Sequence, residues 1–156
     1  MLLPLKEFIC DKCQGIIESP QYGYLQWDEF DDENNYRRAR NFQIVHNYPH
    51  SEEDCLDYNK PSKQLIDFLN PDSGIGALLS FIDYGPLIQN NFLFSRAYYT
   101  REIIELIRRL SIPYFEEARD YLTLALNDDY ISTNQYGIYN PNTLKSIIEI
   151  YGTNFK

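Results

Sequence analysis

Hydrophobic positions alternate with polar ones in the first third of the chain and recur every three or four residues in the rest. From Tyr22 to Trp27 large aromatic and aliphatic side chains alternate with smaller or polar ones, a period-2 pattern that predicts a strand. Phe42, Ile44 and His46 repeat it and would lie on one face of a second strand. A short strand, Glu7-Phe8-Ile9, leads into Cys10; the chain turns at Cys13 and Gly15 and leaves through Ile16 and Ile17. Residues 28–35 are acidic and Asn-containing and predict a loop, as do the polar residues 47–61 between Pro49 and Pro61.

After Pro61 the period changes. Ser62 is placed to cap a helix whose stripe is Leu65, Ile66, Phe68 and Leu69, stopped by Asn70-Pro71. Ile75, Leu78, Leu79 and Ile82 have helical spacing and end at Gly85-Pro86. Residues 87–94 are apolar without a clear period, and residues 95–110 are strongly helical, with Ile103, Leu106, Ile107 and Leu110 on one stripe and Glu105 placed to pair with Arg108 or Arg109. Pro113 suits the first turn of a further helix with Ala118, Tyr121, Leu122 and Ala125 inward, ended by Asn127-Asp-Asp129. Asn140-Pro141 starts a last helix with Leu144, Ile147, Ile148 and Tyr151 inward and Gly152 as its C-terminal cap.

Strands first and helices second argue for an α+β fold, not an alternating α/β one. We expect a β-rich unit over residues 1–60, clipped by zinc and packed on a helical bundle over residues 61–156, the two forming one compact domain.

Composition narrows the function. The formal charge of −9 disfavours generic nucleic-acid binding, because phosphates are repelled, and points to a protein partner with a basic surface. Fourteen Tyr suit half-buried positions with wet hydroxyls at the edge of a core. No apolar run approaches the roughly 20 residues that span a bilayer. The opening Met-Leu-Leu-Pro-Leu is too short for a secretory signal, so the reducing cytoplasm is the expected compartment.

All three cysteines and both histidines fall between residues 10 and 55. Cys10-x-x-Cys13 brings two thiolates to one ion from a single turn, and in a reducing compartment such a pair binds metal more often than it forms a disulfide. The six-residue turn Cys10-Asp-Lys-Cys-Gln-Gly15 resembles the knuckle of zinc-ribbon proteins, in which backbone N–H groups point at the thiolates and glycine relieves the turn. That family's second Cys-x-x-Cys is absent, so the remaining ligands must come from His46, His50 and Cys55. We expect one structural zinc per chain held by Cys10, Cys13, Cys55 and His46, with His50 as the alternative to His46, since His46 has its direction fixed by its strand. This is preferred over free thiols and over a redox pair, which lacks the strand-to-helix setting of thioredoxin-like proteins.

Other candidates carry less. Arg37, Arg38 and Arg40 form a basic cluster, read as neutralising Asp28, Glu29, Asp31, Asp32 and Glu33, and that acidic run lacks the ordering of a calcium loop. His46-x-x-x-His50 contains Pro49 and no Glu after His46, so His-Glu-x-x-His is absent, as are phosphate-binding glycine loops and the Gly-x-Ser-x-Gly elbow. Glu102, Glu105, Glu116 and Glu117 read as helix-surface carboxylates. The expectation is a non-enzymatic acidic interaction protein of the bacterial or phage accessory, immunity or antitoxin type, with a small zinc-dependent hydrolase and a zinc-containing nucleic-acid-associated regulator as alternatives.

Overall fold

The computed structural model describes residues 1–47, 55–82, 96–132 and 136–152. Strands dominate the first part and helices the second, an α+β architecture. A two-stranded sheet pairs β1 (Phe8–Ile9) with β2 (Ile16–Ile17) around the Cys10 turn. The larger sheet has the order β5-β3-β4-β6, built on the hairpin of β3 (Gly23–Asp31) and β4 (Arg37–His46), with β5 (Ser62–Gln64) antiparallel on one edge and β6 (Arg96–Ala97) parallel on the other.

The hairpin is longer than its hydrophobic pattern suggests. Residues 28–31, expected to begin a loop, continue β3 to Asp31, paired with Arg37–Arg40. Opposite charges across the strands stabilise this extension: Arg37 meets Glu29 at 3.0 Å and Asp31 at 3.3 Å, and Arg38 meets Asp32 at 2.6 Å. The register breaks once, between Gln26↔Gln43 and Asp28↔Arg40, so Asn41 and Phe42 oppose Trp27 alone. This is a β-bulge, with Asn41 in the left-handed region at φ 57°. It gathers Trp27, Phe42 and Phe81 into a three-ring cluster with centroids 5.1–5.9 Å apart.

Ser62 does not cap a helix. Its stretch supplies the missing hydrogen bonds of the β3 edge, pairing Ser62↔Gln26, Lys63↔Leu25 and Gln64↔Tyr24. The helix that follows, α1 (Leu65–Phe68), is one turn long; it buries Leu65 and Phe68 and leaves Ile66 exposed. α2 (Gly74–Leu79) buries Leu78 but leaves Ile75 and Leu79 exposed. Residues 87–94 lie outside the described residues.

α3 (Thr100–Ser111) is the regular helix the stripe predicts, with Ile103, Leu106 and Leu110 buried and Glu105 bonded to Arg108. Ile107 is only partly buried, and Arg109 takes an interior position instead. The helix expected from Pro113 is two short ones, α4 (Phe115–Ala118) and α5 (Leu122–Asn127). Tyr114, at φ 69°, is in the left-handed region and delays the start to Phe115. α6 (Pro141–Tyr151) matches its prediction: Asn140 accepts the Asn142 N–H, and Leu144, Ile147, Ile148 and Tyr151 are buried. Gly152 ends it in ordinary right-handed geometry rather than as a left-handed cap.

The main core joins Phe8, Ile17, Leu25 and Ile44 from the strands and Cys10 from the turn to Leu65, Phe68, Leu78, Ile103, Leu106 and Leu110 from the later elements. Two smaller clusters sit where α4, α5 and α6 meet.

Candidate metal centre

The Cys10 turn is built by the chain's own backbone. Gln14 N–H donates to the Cys10 carbonyl and Cys10 N–H to the Gly15 carbonyl, each at 2.9 Å. Gln14 takes the left-handed conformation at φ 62°, and Gly15 follows where a side chain would be crowded. A Cβ on Gly15 would lie 3.2 Å from His46 Cε1 and 3.3 Å from Cys13 Sγ. The Gly15 N–H points at Cys13 Sγ, 3.4 Å away. The turn is held to the large sheet by Asp11, whose N–H donates to the Ile44 carbonyl at 2.8 Å and whose Oδ2 accepts the Ile44 N–H at 2.7 Å.

Docking the turn on the end of β4 brings His46 to the thiols. Cys10, Cys13, His46 and Cys55 each offer one ligand atom, and these lie within 4.8 Å of one another. A tetrahedral zinc with sulfur at about 2.3 Å and nitrogen at about 2.0 Å would set its ligands about 3.5–3.8 Å apart, so the cluster is close to that size before an ion draws it in. Cys13 Sγ and His46 Nδ1 are 3.3 Å apart. Cys10, His46 and Cys55 are buried and Cys13 forms the exposed rim.

The tautomer of His46 follows from its other nitrogen. Nε2 lies 2.9 Å from the Ile16 carbonyl, which can only accept, so Nε2 carries the proton and Nδ1 presents its lone pair to the thiols. A backbone carbonyl in this role is the usual orienting partner of a metal-bound imidazole. The two buried thiols are shifted in opposite directions. Burial alone would raise the Cys10 thiol, but backbone N–H groups of Cys13, His46 and Lys12 outweigh it and bring it down to about 7. Burial and the neighbouring thiols Cys10 and Cys13 push Cys55 up to about 12. Three thiolates packed this closely repel one another, and a divalent cation removes that repulsion.

No protein-family model, no curated protein and no solved structure matches the chain. The site must therefore be read from its own geometry. Four of the sequence candidates come together; the fifth, His50, lies outside the described residues. The arginines 37 and 38 pair with neighbouring acids as expected, and Arg40 sits over the Phe30 ring at 4.4 Å.

Glu116 is not a surface carboxylate. It is 5% exposed and clasps Arg109 with both oxygens, at 2.7 and 2.8 Å. Arg109 also reaches Asp11 at 2.8 Å and the Ile9 carbonyl at 3.3 Å, while the Ile9 N–H donates to Glu116 at 2.9 Å. Asp11 lies between two of the candidate ligands, so this buried network ties the Cys10 turn to α3 and α4. Sequence reasoning missed it because its partners are about a hundred residues apart. The available signal was a charged residue three positions beyond Leu106 on an otherwise apolar helix face.

Proposed function

We propose that Cys10, Cys13, His46 and Cys55 hold one structural zinc ion and that the protein is a non-enzymatic interaction module. The observation that carries the metal assignment is the donor set: three thiols and one imidazole whose far nitrogen is already bonded to a carbonyl. Thiolate-rich four-ligand sites select zinc among the common divalent ions, and full saturation by side chains leaves no position for a reacting water. The zinc ties the Cys10 turn to the end of β4 and to Cys55, and so contributes directly to folding. The charge of −9 favours a protein partner with a basic surface, in the manner of small acidic accessory proteins of bacteria and phage such as immunity proteins and antitoxins.

Elemental analysis of protein purified without added metal tests the first part, with about one zinc per chain expected from a four-ligand site. Chelation should then lower stability, and Cys13→Ser should lose the metal. Metal-free protein whose stability ignores chelator would overturn the assignment. For the partner, capture from the native host followed by a salt series is decisive: the association rate should fall as salt screens exposed charge over about 10 Å at 0.1 M.

A further inference from the structure

Away from the thiols, a cleft of about 550 Å³ opens between the Asp11 side of the metal turn, the β4 bulge and α3. That is within the roughly 300–1,000 Å³ of small-molecule sites, and a seam between packed elements is where such sites form. Phe42 and Leu106 give it an apolar lining.

Its charge differs from that of the whole protein. The chain carries 14 basic and 23 acidic residues, yet four arginines and only three acids line this cleft. The arginines have donors to spare, while Asp11 and Glu105 are engaged by arginines and Glu102 keeps one buried oxygen, Oε2, without a hydrogen-bond partner. Arg101 is exposed and makes no ion pair or hydrogen bond among the described residues, its guanidinium resting 5.5 Å from the Tyr99 ring. Arg108 spends one N–H on Glu105, and Arg119 one each on the Glu116 carbonyl and Asp11, out of five apiece. Asp11 already accepts from Ile44, Arg109 and Arg119. Glu102 accepts the Asn41 N–H, and burial raises its pKa, which favours its neutral form. Arg101 and Arg108 are seven residues apart, almost two turns, and so share one face of α3 about 10.5 Å apart along its axis.

We propose that this cleft binds a small molecule carrying a carboxylate or phosphate group on an apolar body. Its anionic group takes the spare N–H donors of Arg101 and Arg108, and its body lies against Phe42 and Leu106. Planar guanidinium groups suit both kinds of oxyanion.

The test uses the full-length, metal-replete chain, titrated at fixed ionic strength with phenyl phosphate and, separately, benzoate, and followed by amide and arginine side-chain NMR shifts. Saturable shifts centred on Gln43, Arg101 and Arg108 are expected, and Arg101→Gln/Arg108→Gln should weaken binding at least tenfold with metal content and circular dichroism unchanged. Saturation by phenyl phosphate alone identifies a phosphate ligand, and by benzoate alone a carboxylate; either supports the site. Shifts that stay linear to 20 mM for both probes, or equal affinity in the double variant, overturn it.

Discussion

Arg109 offers the sharpest test of the architecture. Its side chain is 5% exposed, beside Glu116 at 7% and Asp11 at 18%. Replacing it with Met keeps the helix propensity and much of the volume but strips the guanidinium from two carboxylates. Glu116 would keep the Ile9 N–H at 2.9 Å and a distant Arg119 at 3.9 Å. Asp11 would keep the Ile44 N–H and Arg119. Removing one member of a buried pair typically costs about 3–5 kcal/mol, because the remaining charge is stranded in a poorly solvated place. Arg119 and the backbone donors offset part of this, so about 3 kcal/mol is expected for Arg109→Met. Glu116→Leu alone should cost somewhat less, about 2–3 kcal/mol, because Arg109 keeps Asp11 at 2.8 Å and the Ile9 carbonyl. The double variant removes both charges and should cost less than the two singles together, by at least about 2 kcal/mol of coupling. Urea denaturation read by circular dichroism gives these values, provided the slope stays constant across the set. An Arg109→Met loss below about 1 kcal/mol, typical of surface sites, would refute the buried network, and strict additivity would refute the pairing.

Three further outcomes follow from particular side chains. Glu102 Oε2 is buried without a hydrogen-bond partner, and burial raises the pKa of this group above its ordinary 4.5; the carboxylate form is therefore disfavoured by folding, and this one group's contribution to stability is fully present below pH 4.5 and lost as pH rises through its folded-state pKa. Glu102→Gln should gain up to about 1 kcal/mol at pH 7 after discounting for partial exposure, and nothing below the ordinary value, as urea melts at pH 4 and pH 7 would read. Gly15→Ala places a methyl 3.2 Å from His46 Cε1 and 3.3 Å from Cys13 Sγ, so chelator competition should show metal held about tenfold less tightly while the rest of the fold survives. Ile103→Ala, at a fully buried position, should cost about 2–5 kcal/mol, and Ile107→Ala distinctly less; equal losses would show the α3 face to be misassigned.

What the sequence disclosed divides by the range of the interactions involved. α6 was legible from end to end, because its cap, its Pro141 and its stripe are all local signals. The thiols and His46 were legible because cysteine and histidine are scarce here and Cys-x-x-Cys is a local geometry. The strand at Ser62–Gln64 was not, since a polar tripeptide becomes a strand only when a remote edge needs hydrogen bonds. The same reason hid the extension of β3 through Asp28–Asp31, where four residues that read as an acidic loop are held straight by arginines across the hairpin. Arg109, Glu116 and Asp11 are the extreme case. Asp11 and Glu116 are ordinary among their sequence neighbours and Arg109 stands out only by its place on an apolar face; each is costly to bury alone, so only their meeting makes the arrangement stable. That meeting also explains why Asp11 sits inside the Cys10 turn. A carboxylate there bonds β4 through Ile44 and α3 through Arg109 at once. The turn is thus fixed from both sides, by the thiol and imidazole cluster on one and by a buried guanidinium on the other. Removing either fixture should loosen the Cys10 turn, but only loss of Arg109 also takes from Glu116 its two-bond partner, leaving it the Ile9 N–H and a distant Arg119.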